Sequence, residues 1–228
     1  KAGPATAGAT APGVGVAGPP ARCGLPTEGP AQRGLRAFGA AAPGFRVREW
    51  EGDIAQAELV FGWRTPELLH ADKPALDVLS TVLAGGRASR LVRAARDRRL
   101  VSSVSAYDYT PTELGVFVVH AGARPENAPR AARAIWDQLA RVRAGEVGAD
   151  ELERARCLLE AQWLRRLEQP DGQANFLGAW ELLGDWKRGT AYHDALFRVT
   201  PERIAEVAGR WLAPEQATAL MYRPRGPA

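Results

Sequence analysis

The spacing of hydrophobic residues changes several times along the chain, and the order of these changes restricts the fold. Residues 57–63 alternate larger apolar side chains with Glu58, Val60 and Gly62, which is the period of a strand with one covered face. Five stretches have this period or the β-branched and aromatic content of strands: 45–50, 57–63, 101–109, 115–121 and 217–222. The third and fourth are joined by the turn 110–113, which predicts an antiparallel hairpin.

Helical spacing fills the stretches between these strands. Asp72 and Ser89 are predicted N-caps of two helices, of which the second runs from Arg90 to Arg99. Longer helices are predicted from Asn127 to 144 and over 149–167, shorter ones over 174–184 and 190–198, and a last one from Thr200. Strands and helices gathered in separate groups predict an α+β domain, because a doubly wound parallel sheet needs regular strand–helix alternation.

The lead segment, residues 1–44, differs from the rest of the chain. It holds ten of the 24 Gly and seven of the 17 Pro, and is otherwise mostly Ala, so it is predicted to be a flexible linker or tail before a domain over 45–228. It carries four basic residues and one acidic residue, which leaves 26 basic and 25 acidic groups in the domain. A nearly neutral domain argues against an electrostatic nucleic-acid binder.

No run of 18 apolar residues occurs, so no membrane span is expected. The sequence predicts a soluble protein and leaves the cytoplasm and the periplasm open. The chain begins with Lys rather than Met, which indicates either processing or a fragment.

Side chains that could carry chemistry are few. None of His70, His120 and His193 has a second His or Cys at metal-ligand spacing, and both HExxH and HxxEH are missing. His120 alternates with Val119 and Ala121 on a strand, which favours a structural histidine with a satisfied hydrogen bond over a ligand. Cys157, in a helical segment, is predicted to be a buried small hydrophobe without a disulfide.

The densest run of charge contains six arginines. Two interpretations stay open: a solvated helix face, which is favoured because the chain has 27 Arg and three Lys, or one arginine that points into a cavity and holds a carbonyl or carboxylate. The arginines are Arg87, Arg90, Arg93, Arg96, Arg98 and Arg99.

The string GGRASRLVRAARDRRLVSSVSAYDYT, residues 85–110, resembles the segment GGGxSSRLxxxxREKxGLAYSVSA of the pitrilysin/insulinase (M16) zinc peptidase superfamily. The preceding QAELVFGWRTPELLHADKPALDVLSTVLAGG resembles the strand and helix before this segment in the family. The following GVFVVHAGARPENAPRAARAIWDQLARV and ADELERARCLLEAQWLRRLE resemble the next strand and helices. The resemblance covers about residues 45–223.

The resemblance implies an α+β half with a sheet and helices packed on one side. Two such halves close around a chamber, and the amino-terminal half binds zinc through HxxEH and a distal Glu. This chain lacks HxxEH, so it resembles the carboxyl-terminal half, which binds no metal and contributes chamber wall and substrate recognition. The expected partners are peptide substrates and an HxxEH-bearing half, in cis or as a separate subunit, and zinc is expected in that half only. The alternative is a structural or assembly subunit without a proteolytic role.

The family holds substrate with an Arg and a Tyr. Arg96 falls on the position of the Arg, whereas Ser102 replaces the Tyr and the intervening loop is one residue shorter. Tyr107 and Tyr109 are the remaining candidates for a phenol. The resemblance therefore implies Arg96, Tyr107 and Tyr109 as substrate-binding residues, with no catalytic residue in this chain.

Overall fold

The computed structural model describes residues 44–225. The predicted linker therefore lies outside the described residues, except for Gly44 at its end. Among the described residues, no helix is both long enough and apolar enough to cross a membrane.

Within residues 44–225, five strands form a single sheet that contains one parallel pair. The order is β1-β5-β2-β4-β3, in which β1 pairs with β5 in parallel and every other pair is antiparallel. The strands are β1 Arg46–Gly52, β2 Ala57–Thr65, β3 Ser103–Tyr109, β4 Gly115–Ala123 and β5 Thr218–Pro224. The predicted hairpin is present as β3 and β4, and the predicted α+β fold class is confirmed.

Among the described residues, six α-helices follow the predicted segments closely. They are α1 Lys73–Ala84, α2 Ala128–Arg143, α3 Ala149–Leu167, α4 Pro170–Leu182, α5 Lys187–Phe197 and α6 Pro201–Trp211. The helix predicted from Arg90 to Arg99 is wrong in form, because Val92–Arg96 is a π-helical turn. The chain leaves it through Arg99, whose φ of 56° lies in the left-handed region and ends the helical path.

The core lies on one face of the sheet. Leu59, Phe61 and Trp63 of β2 point into one cluster with Phe117 and Val119 of β4, and the helices supply the other side of it. The alternate residues of the same strands remain partly exposed, because no described helix covers them. We call these residues, together with those in register with them on the other strands, the open face: Arg46, Arg48, Trp50, Glu58, Val60, Arg64, Ser103, Ser105, Tyr107, Tyr109, Val116, Val118, His120, Thr218, Leu220 and Tyr222.

Two of the predicted N-cap residues, Asp72 and Ser89, do not cap a helix with their side chains. Asp72 precedes α1 without a side-chain cap, and its buried carboxylate instead accepts hydrogen bonds from Arg203, Arg210 and Trp211 of α6. Ser89 Oγ is buried and has no hydrogen-bond partner among the described residues. Thr200 is a true cap, since its Oγ1 accepts from the Arg203 backbone N–H at 3.2 Å.

Candidate functional site

The open face combines apolar, aromatic and polar side chains on one surface of the sheet. Its centre is apolar, because Val60 of β2 stands opposite Leu220 of β5 and near Val118 of β4. Aromatic side chains lie toward both sheet edges, with Tyr107 48% exposed on β3 and Trp50 42% exposed on β1. A surface of this composition suits an extended chain with both apolar and polar groups.

One end of the open face is crossed by a chain of hydrogen bonds. Ser102 Oγ donates to Gln56 Oε1 at 2.9 Å and lies 3.0 Å from the Gly122 carbonyl oxygen. Gln56 Nε2 donates to Glu58 Oε1 at 3.0 Å, and His120 Nε2 lies 2.9 Å from Glu58 Oε2. We call these four side chains, Ser102, Gln56, Glu58 and His120, the polar chain; it links the residue before β3 to the centre of β4.

Gly122 provides the space that the polar chain needs. Its register partners are Glu58 on β2 and Ser103 on β3, so it lies between the strands that the polar chain connects. A Cβ at this position would stand 2.7 Å from Gln56 Nε2, which is closer than van der Waals contact allows. The missing side chain therefore lets Gln56 reach across β4 to Ser102.

The residues that the resemblance implies for substrate binding lie on two neighbouring elements, the π-helical turn and β3, which contact each other. Arg96 is the exposed last residue of the π-helical turn, and its guanidinium has no hydrogen bond or ion pair within residues 44–225. Tyr107 and Tyr109 share β3 and both face the open side, 48% and 63% exposed. Tyr107 stands opposite Val118 and Tyr109 opposite Val116, so Tyr109 lies farther from the polar chain.

Ser102 is not a free replacement for the family's phenol. Its hydroxyl is occupied by Gln56 and lies against the Gly122 carbonyl, within its own sheet. The donor at this position is thus short and already engaged. Sequence reasoning did not single out Gln56 or Glu58, although strand alternation and a paired register place Glu58 and His120 on one face.

The arginines of the run differ in their surroundings: Arg90 is buried, whereas Arg93 and Arg96 are exposed. Arg90 is 8% exposed, and its Nη2 lies 2.5 Å from Glu151 Oε2 of α3. Burial alone would raise the pKa of Glu151, but the bonds from Arg90 and from the Gly148 backbone outweigh it and lower that pKa. Arg90 is therefore neither on a solvated face nor shown to hold a ligand: it forms an ion pair with a carboxylate of the chain itself.

The remaining candidates have structural surroundings. His120 has the hydrogen-bond partner expected of a structural histidine, although it lies on the open face and is 40% exposed. The His193 ring stacks on Trp163 with centroids 3.9 Å apart, and His70 Nδ1 accepts from the Asp72 N–H. The prediction of a buried Cys157 is wrong, because the thiol is exposed on the side of α3 away from buried Leu152 and Ala155.

Within residues 44–225, no three His, Cys, Asp or Glu side chains come together in a group that could hold a metal ion. His120 and Glu58 are only a pair, and their other neighbours in the polar chain are an amide and a hydroxyl. The chemistry of this end of the open face is therefore hydrogen bonding and charge.

Comparison with known proteins agrees with this geometry. The peptidase M16 inactive domain family matches residues 28–159. An uncharacterized zinc protease of Streptomyces coelicolor is 33% identical over 159 residues, which cover 67% of this chain and 34% of that protein. The structure of a protease from Helicobacter pylori has a TM-score of 0.75 at 24% identity, covering 80% of this chain and 45% of that one. An inactive peptidase domain from Bordetella parapertussis has a TM-score of 0.68 at 21% identity, covering 78% and 98%.

The chain belongs to the peptidase M16 inactive domain family, as the resemblance of residues 85–110 predicted. It spans about a third of the length of the Streptomyces relative, and nearly all of the Bordetella domain. The fold is therefore that of one domain found in larger zinc proteases.

Proposed function

We propose that this chain is the non-catalytic half of a zinc endopeptidase and that its open face forms part of a peptide-binding chamber wall. The observation that carries the proposal is the sheet itself, in which one face is packed under helices and the other is left partly exposed with apolar, aromatic and hydrogen-bonding side chains. In a chain of the inactive-domain family, such a face suits peptides of varied sequence.

The catalytic zinc in this proposal belongs to a separate HxxEH-bearing half, in cis or as another subunit, where it would activate water for attack on the peptide. This chain contributes binding. An exposed guanidinium such as Arg96 donates hydrogen bonds to a peptide carbonyl and stabilises negative charge that develops on its oxygen. Tyr107 and Tyr109 offer ring faces and phenol groups along the same edge of the sheet.

A structural or assembly subunit is the second candidate. It is favoured by one observation, namely that Ser102 replaces the family's Tyr and its hydroxyl is engaged by Gln56. A chain that only supports assembly would tolerate loss of the phenol, whereas a substrate-binding half would need another group to take its place.

The test is to mix the purified chain with the HxxEH-bearing half encoded in the same genome and to follow cleavage of internally quenched peptides. The proposal expects the mixture to cleave at least tenfold faster than the HxxEH half alone. Arg96→Ala should remove most of this gain, whereas Arg130→Ala, which deletes an exposed guanidinium on α2, should keep it. Assembly of the two halves by gel filtration without any gain in cleavage would support the structural subunit instead.

A further inference from the structure

We propose that Glu58 is an anionic anchor on the open face, which selects peptides carrying a lysine or arginine side chain. The inference rests on the proposed function, since it names the class of peptide that the chamber wall would prefer. Glu58 lies on β2, between β4 and β5, and faces the open side.

The Glu58 carboxylate is held in place but only partly occupied. Gln56 Nε2 bonds one oxygen at 3.0 Å, and His120 Nε2 lies 2.9 Å from the other. These two contacts fix the orientation of the carboxylate, which accepts about four hydrogen bonds in all. Since the side chain is 30% exposed, the remaining acceptor positions are open to a ligand.

Glu58 also lacks the permanent cation that other shielded carboxylates of this chain have. Asp72 pairs with Arg203 and Arg210, Asp108 with Lys73, and Glu151 with Arg90. Within residues 44–225, no Lys or Arg forms an ion pair with Glu58, whose partners are a neutral amide and an imidazole. A cation supplied by a ligand would complete the same kind of pair.

The surroundings of Glu58 suit a long basic side chain rather than a small cation. Tyr222 of β5 stands directly opposite Glu58, and Trp50 of β1 stands opposite Tyr222, so a row of aromatic residues leads to the sheet edge. Val60 lies two residues along the same face. Lysine and arginine carry an apolar stem that packs on such residues, and their charged ends interact favourably with aromatic rings.

The anchor lies at the end of the open face where the family's phenol is replaced. The polar chain connects Glu58 through Gln56 to Ser102, the position at which the resemblance implies a Tyr in the family.

The experiment measures binding of three 15-residue peptides to the full chain by fluorescence anisotropy. The peptides are identical except for a central lysine, norleucine or glutamate, so that lysine and norleucine share a stem and differ in charge. We expect the lysine peptide to bind about three- to tenfold more tightly than the norleucine peptide, and this ratio to fall as salt is raised.

Glu58→Gln keeps the size of the side chain and removes its charge. It should bring the lysine-to-norleucine ratio to about one without weakening the norleucine peptide. Glu126→Gln removes the same charge from an exposed turn before α2 and should leave the ratio unchanged. Thermal unfolding of both variants confirms that they are folded.

The outcomes separate this inference from the proposed function. If the norleucine peptide binds but lysine gives no advantage, or the advantage persists in Glu58→Gln, the anchor is refuted and peptide binding stands. If none of the peptides binds at millimolar concentration, both the peptide-binding wall and the anchor are refuted.

Discussion

Lys73 Nζ lies 2.8 Å from Asp108 Oδ2, and the two side chains are 3% and 0% exposed. The pair joins the first turn of α1 to the edge strand β3, 35 residues away. The other Asp108 oxygen accepts from Thr65 Oγ1 at 2.7 Å, so the carboxylate is satisfied from both sides. Because Asp108 points toward the helices, its neighbours Tyr107 and Tyr109 are held on the open face.

Removal of the ammonium from this pair should strongly destabilise the fold. Lys73 Nζ also lies 2.7 Å from Asp77 Oδ1. Lys73→Met therefore leaves both Asp108 and Asp77 without their cation, and we expect a loss of about 3 kcal/mol in the free energy of unfolding. Urea denaturation followed by circular dichroism measures this loss.

The control is the double variant Lys73→Met/Asp108→Asn, which removes the charges of this pair and leaves Asp77 in place. It should lose less than the two single variants added. Arg133→Ala, which breaks an exposed pair with Asp137 on α2, should change stability by less than about 0.5 kcal/mol. Additive losses in the double variant would show that the two charges do not depend on each other.

Asp72 should make the stability of the domain depend on acid pH. Burial alone would raise the pKa of Asp72, but the Trp211 hydrogen bond and the Arg203 and Arg210 charges outweigh it and lower that pKa. The folded chain therefore keeps this carboxylate ionised to lower pH than the unfolded chain does. Its stabilising contribution is complete above about pH 4 and is lost as the pH falls through the folded pKa.

Asp72→Asn should therefore lose about 2 kcal/mol of unfolding free energy at pH 7, and the gap to the native chain should close in acid. Urea titrations between pH 7 and about pH 2.5 follow this gap. Asp137→Asn, at an exposed position, should run parallel to the native chain. An Asp72→Asn gap that stays constant down to the lowest pH would contradict the pKa shift.

Replacement of Arg99 by glycine should stabilise the chain. Arg99 is the only non-glycine residue within 44–225 that has a positive φ, and a Cβ in this conformation is unfavourable. Relief of this conformation should outweigh the extra conformational entropy that glycine gives the unfolded chain. Arg99→Gly should therefore raise the free energy of unfolding by about 1 kcal/mol. Arg98→Gly, one residue earlier and at negative φ, should instead lower it, and thermal unfolding distinguishes the two.

Gly122→Ala should displace Gln56 without unfolding the sheet. The new Cβ would meet Gln56 Nε2 at 2.7 Å and Ser103 Oγ at 3.0 Å, which are ends of side chains that can rotate away. We expect a cost below about 1 kcal/mol and loss of the Gln56 bonds to Ser102 and Glu58. The side-chain amide resonances of Gln56 in NMR spectra report the displacement.

Gly62→Ala is the matched control, since its Cβ on the same face would meet nothing closer than 4.0 Å. Gln56 resonances should be unchanged in that variant. Unaltered Gln56 resonances in Gly122→Ala would show that the polar chain does not depend on the open space at Gly122.

The sequence predicted elements well where a periodic pattern is long. The strand predicted over 57–63 lies within β2, Ala57–Thr65, and the helix predicted over 149–167 coincides with α3, because burial of one face acts on every residue of the element. The helix predicted to end at Arg99 was predicted less well. Its residues Val92–Arg96 form a π-helical turn, whose backbone hydrogen bonds span five residues instead of four, and the side-chain spacing of so short a segment does not distinguish the two. Asp72 stands at the predicted N-cap position, but its side chain does not cap the helix, because its carboxylate binds Arg203, 131 residues away.

The sequence by itself determined the order of strands and helices, the α+β class and the family, since each depends on local periodicity and on a motif within 85–110. Only the tertiary structure decided that β5 lies between β1 and β2, which places Tyr222 beside Glu58. It also decided that Ser102, Gln56, Glu58 and His120 form one chain of hydrogen bonds. Alternation specifies which residues of a strand share a face, but the register between strands that are distant in sequence depends on the packing of the whole domain.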